Sequence, residues 1–271
     1  MKTVNAEAVA AAVADIAVRA GHAILDVYER DFEVMTKQDE SPLTQADLAS
    51  HVIIRDALAN LTPQVSLLSE ESADIDFATR AAWREYWLVD PLDGTKEFVR
   101  RNGEFTVNIA LIRDHRPVLG VVHVPVSGVT YTGIEGLGAT RRQNGSAPET
   151  IRVRVPCPDP AVVVGSRSHA NPKLLDHLRK IGNFELVSMG SSLKFCLLAE
   201  GKADFYPRLG PTSEWDTAAA HAVVTAAGGQ ILTLGGQALE YNRKESLLNP
   251  EFLVIADTDR DWLSLFADYY P

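Results

Sequence analysis

Two aspartates, Asp90 and Asp93, bracket a Pro-Leu pair in the stretch Val89-Asp90-Pro91-Leu92-Asp93-Gly94-Thr95. Two carboxylates three positions apart in a tight turn repel one another unless something cationic lies between them. Pro91 restricts φ and removes a donor, while Gly94 permits close approach of the backbone. Oxygen ligands without His or Cys suit a hard cation, Mg²⁺ or Mn²⁺. The turn feeds a helix predicted to begin at Gly94-Thr95, whose free N–H groups and positive dipole end make a phosphate site. Metal and phosphate would then meet at one point.

Other acids fall where elements begin or end. Glu70 follows the run Val65 to Leu68, a strand candidate, and strand ends are where a rigid sheet aims side chains into a crevice. Asp216 opens the helix after Gly-Pro-Thr-Ser-Glu-Trp, where an aspartate ordinarily serves as a cap or dipole partner. Asp47 stands three residues after Thr44, in the position of an acid in a first helical turn.

The elements that must position these groups are readable from periodicity. Val9, Val13, Ile16, Ala20 and Ile24 recur at helical spacing and predict a helix over 6–28. A second helix is predicted from Thr44, after the breaker Pro42, toward Pro63. Strand-like runs follow at 86–90, 106–112, 118–124 and 129–133, then a hairpin turning at Asn144-Gly145, giving a largely antiparallel sheet. After Pro156, Pro158 and Pro160 the pattern alternates: strand 161–166, helix 171–182, helix 191–201, strand 203–207, helix 215–229, strands 230–234 and 252–257, and a final helix over 258–270. The expected class is α/β, with an α+β lobe at 1–155 carrying most of the metal site and an α/β lobe at 156–271.

Composition excludes some functions. The 271 residues hold 26 Lys+Arg against 36 Asp+Glu, and no basic run exceeds a pair, so polymeric nucleic acid is not an expected partner. A small anionic substrate then needs a metal or a few placed cations. No apolar run approaches the ~18 residues that span a bilayer, and Glu7, Asp15 and Arg19 interrupt the first helix, so no transmembrane segment is expected. The two cysteines, Cys157 and Cys196, form no metal or redox pattern and fit a reducing cytoplasm.

The segment WLVDPLDGTKEF, the upstream LLSEES and the downstream WDTAAAHAVVTAAGG together resemble the three signature motifs of the inositol monophosphatase family of Mg²⁺-dependent, lithium-sensitive phosphatases. SRSH, GSSLKFCLLAEGKADFYPRLGPTSEWDTAAAHAV and ESLLNPEF narrow the resemblance to its bacterial 3′(2′),5′-bisphosphate nucleotidases. It runs from AGHAILDVY to LLNPEF, nearly the whole chain, and implies the layered αβαβα sugar-phosphatase fold. The activity implied is hydrolysis of 3′-phosphoadenosine 5′-phosphate, the by-product of sulfate activation and transfer, to AMP and phosphate. Members of this branch also associate with the cytoplasmic face of the inner membrane, a further expectation alongside a cytoplasmic location.

Carried over by position, Glu70, Asp90, the Leu92 carbonyl, Asp93 and Asp216 are the implied ligands of two or three Mg²⁺ ions. Glu70, Leu92, Asp93, Gly94, Thr95 and Asp216 then surround the substrate phosphate, with the Gly94 and Thr95 N–H groups holding it. Asp47 is implied to polarise Thr95, which orients the attacking water, because a threonine hydroxyl alone is too weak a base. His169, Ser191, Lys194 and Arg208 match positions that contact the nucleotide and its second phosphate. Two other functions share these motifs: an inositol or sugar monophosphatase, and a nucleotide sensor without catalysis. Whether the chain acts as monomer or homodimer is not decided by its residues.

Overall fold

Apolar residues at three- and four-residue spacing give helix α1 (Ala6–Tyr28) one buried stripe, Val13, Ile16, Ala17, Ala20 and Ile24. The computed structural model describes residues 6–30, 42–166 and 177–269. Helix α2 (Pro42–Leu61) lies beside α1, and Pro42 sits in its first turn instead of stopping it. The correction follows from geometry: a first-turn N–H has no intrahelical partner, so proline loses nothing there. By length and mean hydropathy, 1.6, α1 is long and apolar enough to cross a membrane, a test that a core helix also passes. Its apolar stripe is nevertheless spent on the core, against Val107, Ile109, Leu111 and Val121.

Those residues belong to a seven-stranded sheet in chain order: β1 (Ser66–Ser69), β2 (Glu85–Asp93), β3 (Thr106–Arg113), β4 (Arg116–Val124), β5 (Val129–Ile134), β6 (Gly138–Gln143) and β7 (Glu149–Ile151). Only β1 and β2 pair in parallel. The sheet is covered on both faces, which is why β3 reads as an almost unbroken apolar run. Val107, Ile109 and Leu111 face α1 and α2, whereas Ala110 and Ile112 face a second core.

That second core is built on α5 (Leu193–Ala199) and α6 (Glu214–Ala226), which lie between the first sheet and another. The Ala-rich face of α6 approaches the sheet backbone itself. A Cβ on Gly120 would stand 2.1 Å from the Ala219 carbonyl oxygen, so only glycine fits under the helix. The second sheet has the order β11-β12-β10-β8-β9, with β8 (Ala161–Ser166), β9 (Phe184–Met189), β10 (Phe205–Arg208), β11 (Gln230–Thr233) and β12 (Phe252–Ile255). Beyond it Leu178, Trp262 and Phe266 pack on Phe205 and Leu253, completing five alternating layers.

Two elements of the second half differ from expectation. Strand β9 was not predicted; it lies at the sheet edge, and its side chains are half-buried or exposed. The final helix shortens to one 3₁₀ turn, Leu263–Phe266. Trp262 stacks on Phe205 at 4.4 Å, and its Nε1 donates to the Asp257 carbonyl, anchoring the segment by one side chain in place of a helical ladder.

Candidate active site

Strand β2 ends in the Asp-Pro-Leu-Asp segment, and a register shift there decides where the acids point. Asp90 pairs with Asn108 and Asp93 with Thr106, so three steps on β2 oppose two on β3. In a regular strand residues three apart face opposite sides. The extra residue of this bulge restores Asp90 and Asp93 to one face, the face that carries Thr106 and Asn108. The Leu92 N–H donates to Asp90 Oδ1 at 3.0 Å, and Ser50 Oγ donates to the Pro91 carbonyl at 2.8 Å. Gly94 then turns with φ +94°, and a Cβ there would lie 3.1 Å from the Glu104 carbonyl. Helix α4 (Thr95–Val99) follows, and Thr95 is exposed at its first position.

The second half of the chain closes on this strand end. Ser192 N–H donates to Asp93 Oδ2 at 2.6 Å, and Ser192 Oγ donates to Asn108 Oδ1 at 2.8 Å and lies 2.9 Å from Thr106 Oγ1. Gly190 N–H donates to Glu104 Oε2 at 2.8 Å. Ser192, Asn108 and Thr106 were not among the predicted site residues. The signal for the last two was present, since Thr106 and Asn108 are alternate polar residues in an otherwise apolar strand. Between Ser191 and Ser192, sequence did not favour the latter; Ser191 takes φ +43° at the cleft wall, which presents its neighbour's N–H to Asp93.

Asp216 reaches the site from the third position of α6. Its Oδ2 accepts from Ser213 N–H at 2.9 Å, so the capping role and a ligand role coexist on one carboxylate. Glu70 opens a 3₁₀ turn directly after β1. Asp47 is buried on α2 and pairs with the Glu71 carboxyl; no hydrogen bond joins it to Thr95 in this structure. Its Oδ1 is buried without a partner among the described residues.

Electrostatics unites these acids. Burial holds the Asp90 carboxyl well above the usual range, and Asp93, Glu70, Asp216 and Asp47 push it further. Asp93 is raised by burial against the opposing pull of Lys194 and the Ser192 N–H. Asp216 is pushed up to about 7 by burial and then by Asp93. Asp47 reaches about 8 through burial, Glu71 and Glu70. Glu70 is accessible to solvent, yet its carboxyl is raised by the protein around it and by Asp93. Among the described residues no three such groups are already drawn together as a metal cage. The donor set still fits a hard divalent cation: oxygen ligands only, mutually repelling, with an orphaned carboxylate oxygen beside them.

A cleft of about 240 Å³ adjoins the acids, lined by Asp93, Gly94, Thr95, Ser191, Lys194 and Asp216 with Tyr206 and Arg208. That is below the ~300–1,000 Å³ usual for small-molecule sites, so a nucleotide would extend past it toward solvent. Lys194 is buried, donates from Nζ to the Ser191 carbonyl and sits 5.7 Å over the Tyr206 ring. Burial pulls its ammonium down to about 8. Arg208 is folded onto its own loop, donating to the Gly210 and Pro211 carbonyls at 3.1 and 2.6 Å. His169 lies outside the described residues.

Known proteins share the sequence and fold that carry this site. A curated relative, the 3′(2′),5′-bisphosphate nucleotidase CysQ of Escherichia coli K12, is 50% identical over 246 residues, covering 89% of this chain and 97% of the relative. The CysQ of Salmonella typhimurium is 49% identical with the same coverage. The crystal structure of CysQ from Bacteroides thetaiotaomicron superposes with a TM-score of 0.83 at 44% identity, covering 92% of this chain and 97% of that one. An inositol monophosphatase from Anabaena shares the fold, with a TM-score of 0.77 at 24% identity, covering 99% of this chain and 98% of that one. The inositol monophosphatase family model matches residues 5–268, and the chain belongs to that family.

Proposed function

We propose that the chain is a Mg²⁺-dependent 3′(2′),5′-bisphosphate nucleotidase that removes the 3′-phosphate of 3′-phosphoadenosine 5′-phosphate, giving AMP and phosphate. The observation that carries this reading is one cleft in which the acid wall Asp93 and Asp216 faces the cations Lys194 and Arg208. Near-50% identity to nucleotidases supports the same reaction.

Glu70, Asp90, the Leu92 carbonyl, Asp93 and Asp216 would hold two or three Mg²⁺ ions. When bound, Mg²⁺ offsets the charge of the phosphoryl group and of the leaving ribose oxygen and makes water more acidic. The chain's own residues supply position and proton handling. The Gly94 and Thr95 N–H groups orient a phosphate at the start of α4. Asp47 has the raised affinity for a proton that a base needs near neutral pH, and Thr95 lies at the cleft wall to orient water. Lys194, buried beside Tyr206, meets the second phosphate as a fixed point charge. Ser191, Arg208 and His169 complete the nucleotide contacts in this reading, and a cytoplasmic setting belongs to it. Incubating the enzyme with the bisphosphate nucleotide and Mg²⁺, and resolving the products, tests it: AMP and phosphate are expected, and intact nucleotide would contradict it.

A further inference from the structure

The segment Glu245 to Phe252 contains the Leu-Leu-Asn-Pro motif, and the reaction above gives it no role. Its Asn249 grips the turn that precedes α6. Asn249 N–H donates to the Thr212 carbonyl at 2.8 Å. The side-chain Nδ2 donates to the Ser213 carbonyl at 2.7 Å and lies 3.1 Å from Thr217 Oγ1 and 3.3 Å from Thr212 Oγ1. Thr212 and Thr217 both line the cleft. Leu248 adds a backbone bridge to Ser213, and Glu214 N–H donates to the Leu247 carbonyl.

The peptide unit between Thr212 and Ser213 is planar, so its C=O and N–H move together. Asn249 holds the C=O end of that plane, and the N–H end donates to Asp216 Oδ2 at 2.9 Å. The Nδ2 bond fixes the next plane as well. The plane that donates to Asp216 is thus held by the Asn249 backbone N–H, and the Asn249 side chain fixes the same segment through the Ser213 carbonyl and the Thr212 and Thr217 hydroxyls. Oδ1 of Asp216 has no hydrogen bond to the described residues, and it is the oxygen left for a cation.

We infer that the Asn249 side chain, by fixing the Ser213 carbonyl and the flanking threonine hydroxyls, positions the Asp216 carboxylate and sets how tightly the site takes a divalent cation. This rests on the metal reading above. Residues that orient a ligand typically contribute 10–100-fold to metal affinity. Asn249→Asp keeps the shape and replaces the donor with an acceptor facing the Ser213 carbonyl; Asn249→Ala removes the group without adding charge. Leu248→Ala is the control, because Leu248 meets Ser213 through its backbone and its side chain is exposed.

Mn²⁺ binding measured by calorimetry, without substrate, separates the outcomes. Binding to the wild-type chain and to Leu248→Ala, with at least about tenfold weaker binding to both folded Asn249 variants, is expected. Unchanged Mn²⁺ affinity in either folded variant would overturn the inference while leaving the metal reading standing. Failure of both variants to fold would also overturn it, since Asn249 would then hold the fold. No Mn²⁺ binding by the wild type would remove the metal reading and the inference with it.

Discussion

Ser192 donates its backbone N–H to Asp93 Oδ2 at 2.6 Å, across 99 positions of sequence. The loop that carries Ser191 and leads to Lys194 is thus fastened to a proposed metal carboxylate. Ser192 Oγ also satisfies Asn108 Oδ1, which is buried. Ser192→Ala leaves that oxygen unpaired and is expected to cost about 1–3 kcal/mol of stability. It should also raise the Mg²⁺ needed for half-maximal activity about tenfold. Denaturant unfolding and a Mg²⁺ titration check the two effects, and no change in either would make the contacts of the Ser192 hydroxyl incidental.

Removing metal exposes the repulsion within the site. Asp90 is 1% accessible and surrounded by Glu70, Asp93, Asp216 and Asp47. Asp90→Asn removes one charge while keeping an oxygen for the Leu92 N–H. Activity should fall to background, yet the metal-free variant should melt higher than the metal-free wild type, by about 2–4 °C for each kcal/mol relieved at this size. Mg²⁺ should raise the melting temperature of the wild type alone. Calorimetric scans with and without chelator make the comparison; a metal-free variant that melts lower would contradict the crowding of charge.

Lys194 should confer both substrate preference and a pH limit. Its ammonium titrates near 8, so its charge is present below that pH and lost above it. KM for the bisphosphate nucleotide is expected to rise above pH 8, approaching tenfold per unit. Lys194→Ala should lose that rise, and should lose far more activity on the nucleotide than on a simple phosphate ester. KM profiles for both substrates decide it, and equal losses would move Lys194 out of the nucleotide site.

Two buried histidines each contribute a loss of stability on the acid side. Burial holds His221 down at about 3 and His123 at about 4, with Nδ1 of each 2.9 Å from a hydroxyl, of Tyr241 and of Thr130 respectively. Their folded values lie below the unfolded value near 6.5, so below that pH the unfolded chain binds more protons. The histidine contribution is then whole above about 6.5 and declines as pH falls toward 4, whereas the raised carboxyls of the metal-free site, Asp47 and Asp216, act in the opposite sense. Each histidine contributes a slope of up to about 1.4 kcal/mol per unit. The difference in unfolding free energy between wild type and His221→Gln at pH 7, 6 and 5 isolates the histidine contribution, and the variant should differ in slope by about one proton.

The acids that the end of β2 presents were legible because their chemistry is local: two acids, a proline and a glycine lie within one hexapeptide. The alternation of α1 and the strand runs 106–124 was legible for the same reason, since the period of burial is written along the chain. Ser192 and Asn249 were not. Their roles arise from contacts made across 99 and 36 positions, and neither residue type distinguishes a clamp from a loop. Strand β9 escaped because an edge strand need not alternate cleanly, and the terminal helix was overread because Trp262 and Phe266 have helical spacing while serving as anchors on Phe205. The Asp47–Thr95 pairing implied by resemblance is not a direct hydrogen bond here, and the Glu71 carboxyl lies beside Asp47.

The most direct test of the account is phosphate release from 3′-phosphoadenosine 5′-phosphate and from inositol 1-phosphate, each with Mg²⁺ and with chelator. Rapid release from the nucleotide with Mg²⁺, little from the inositol ester, and none from either with chelator is expected. Equal or faster turnover of the inositol ester, or release that persists without metal, would contradict it.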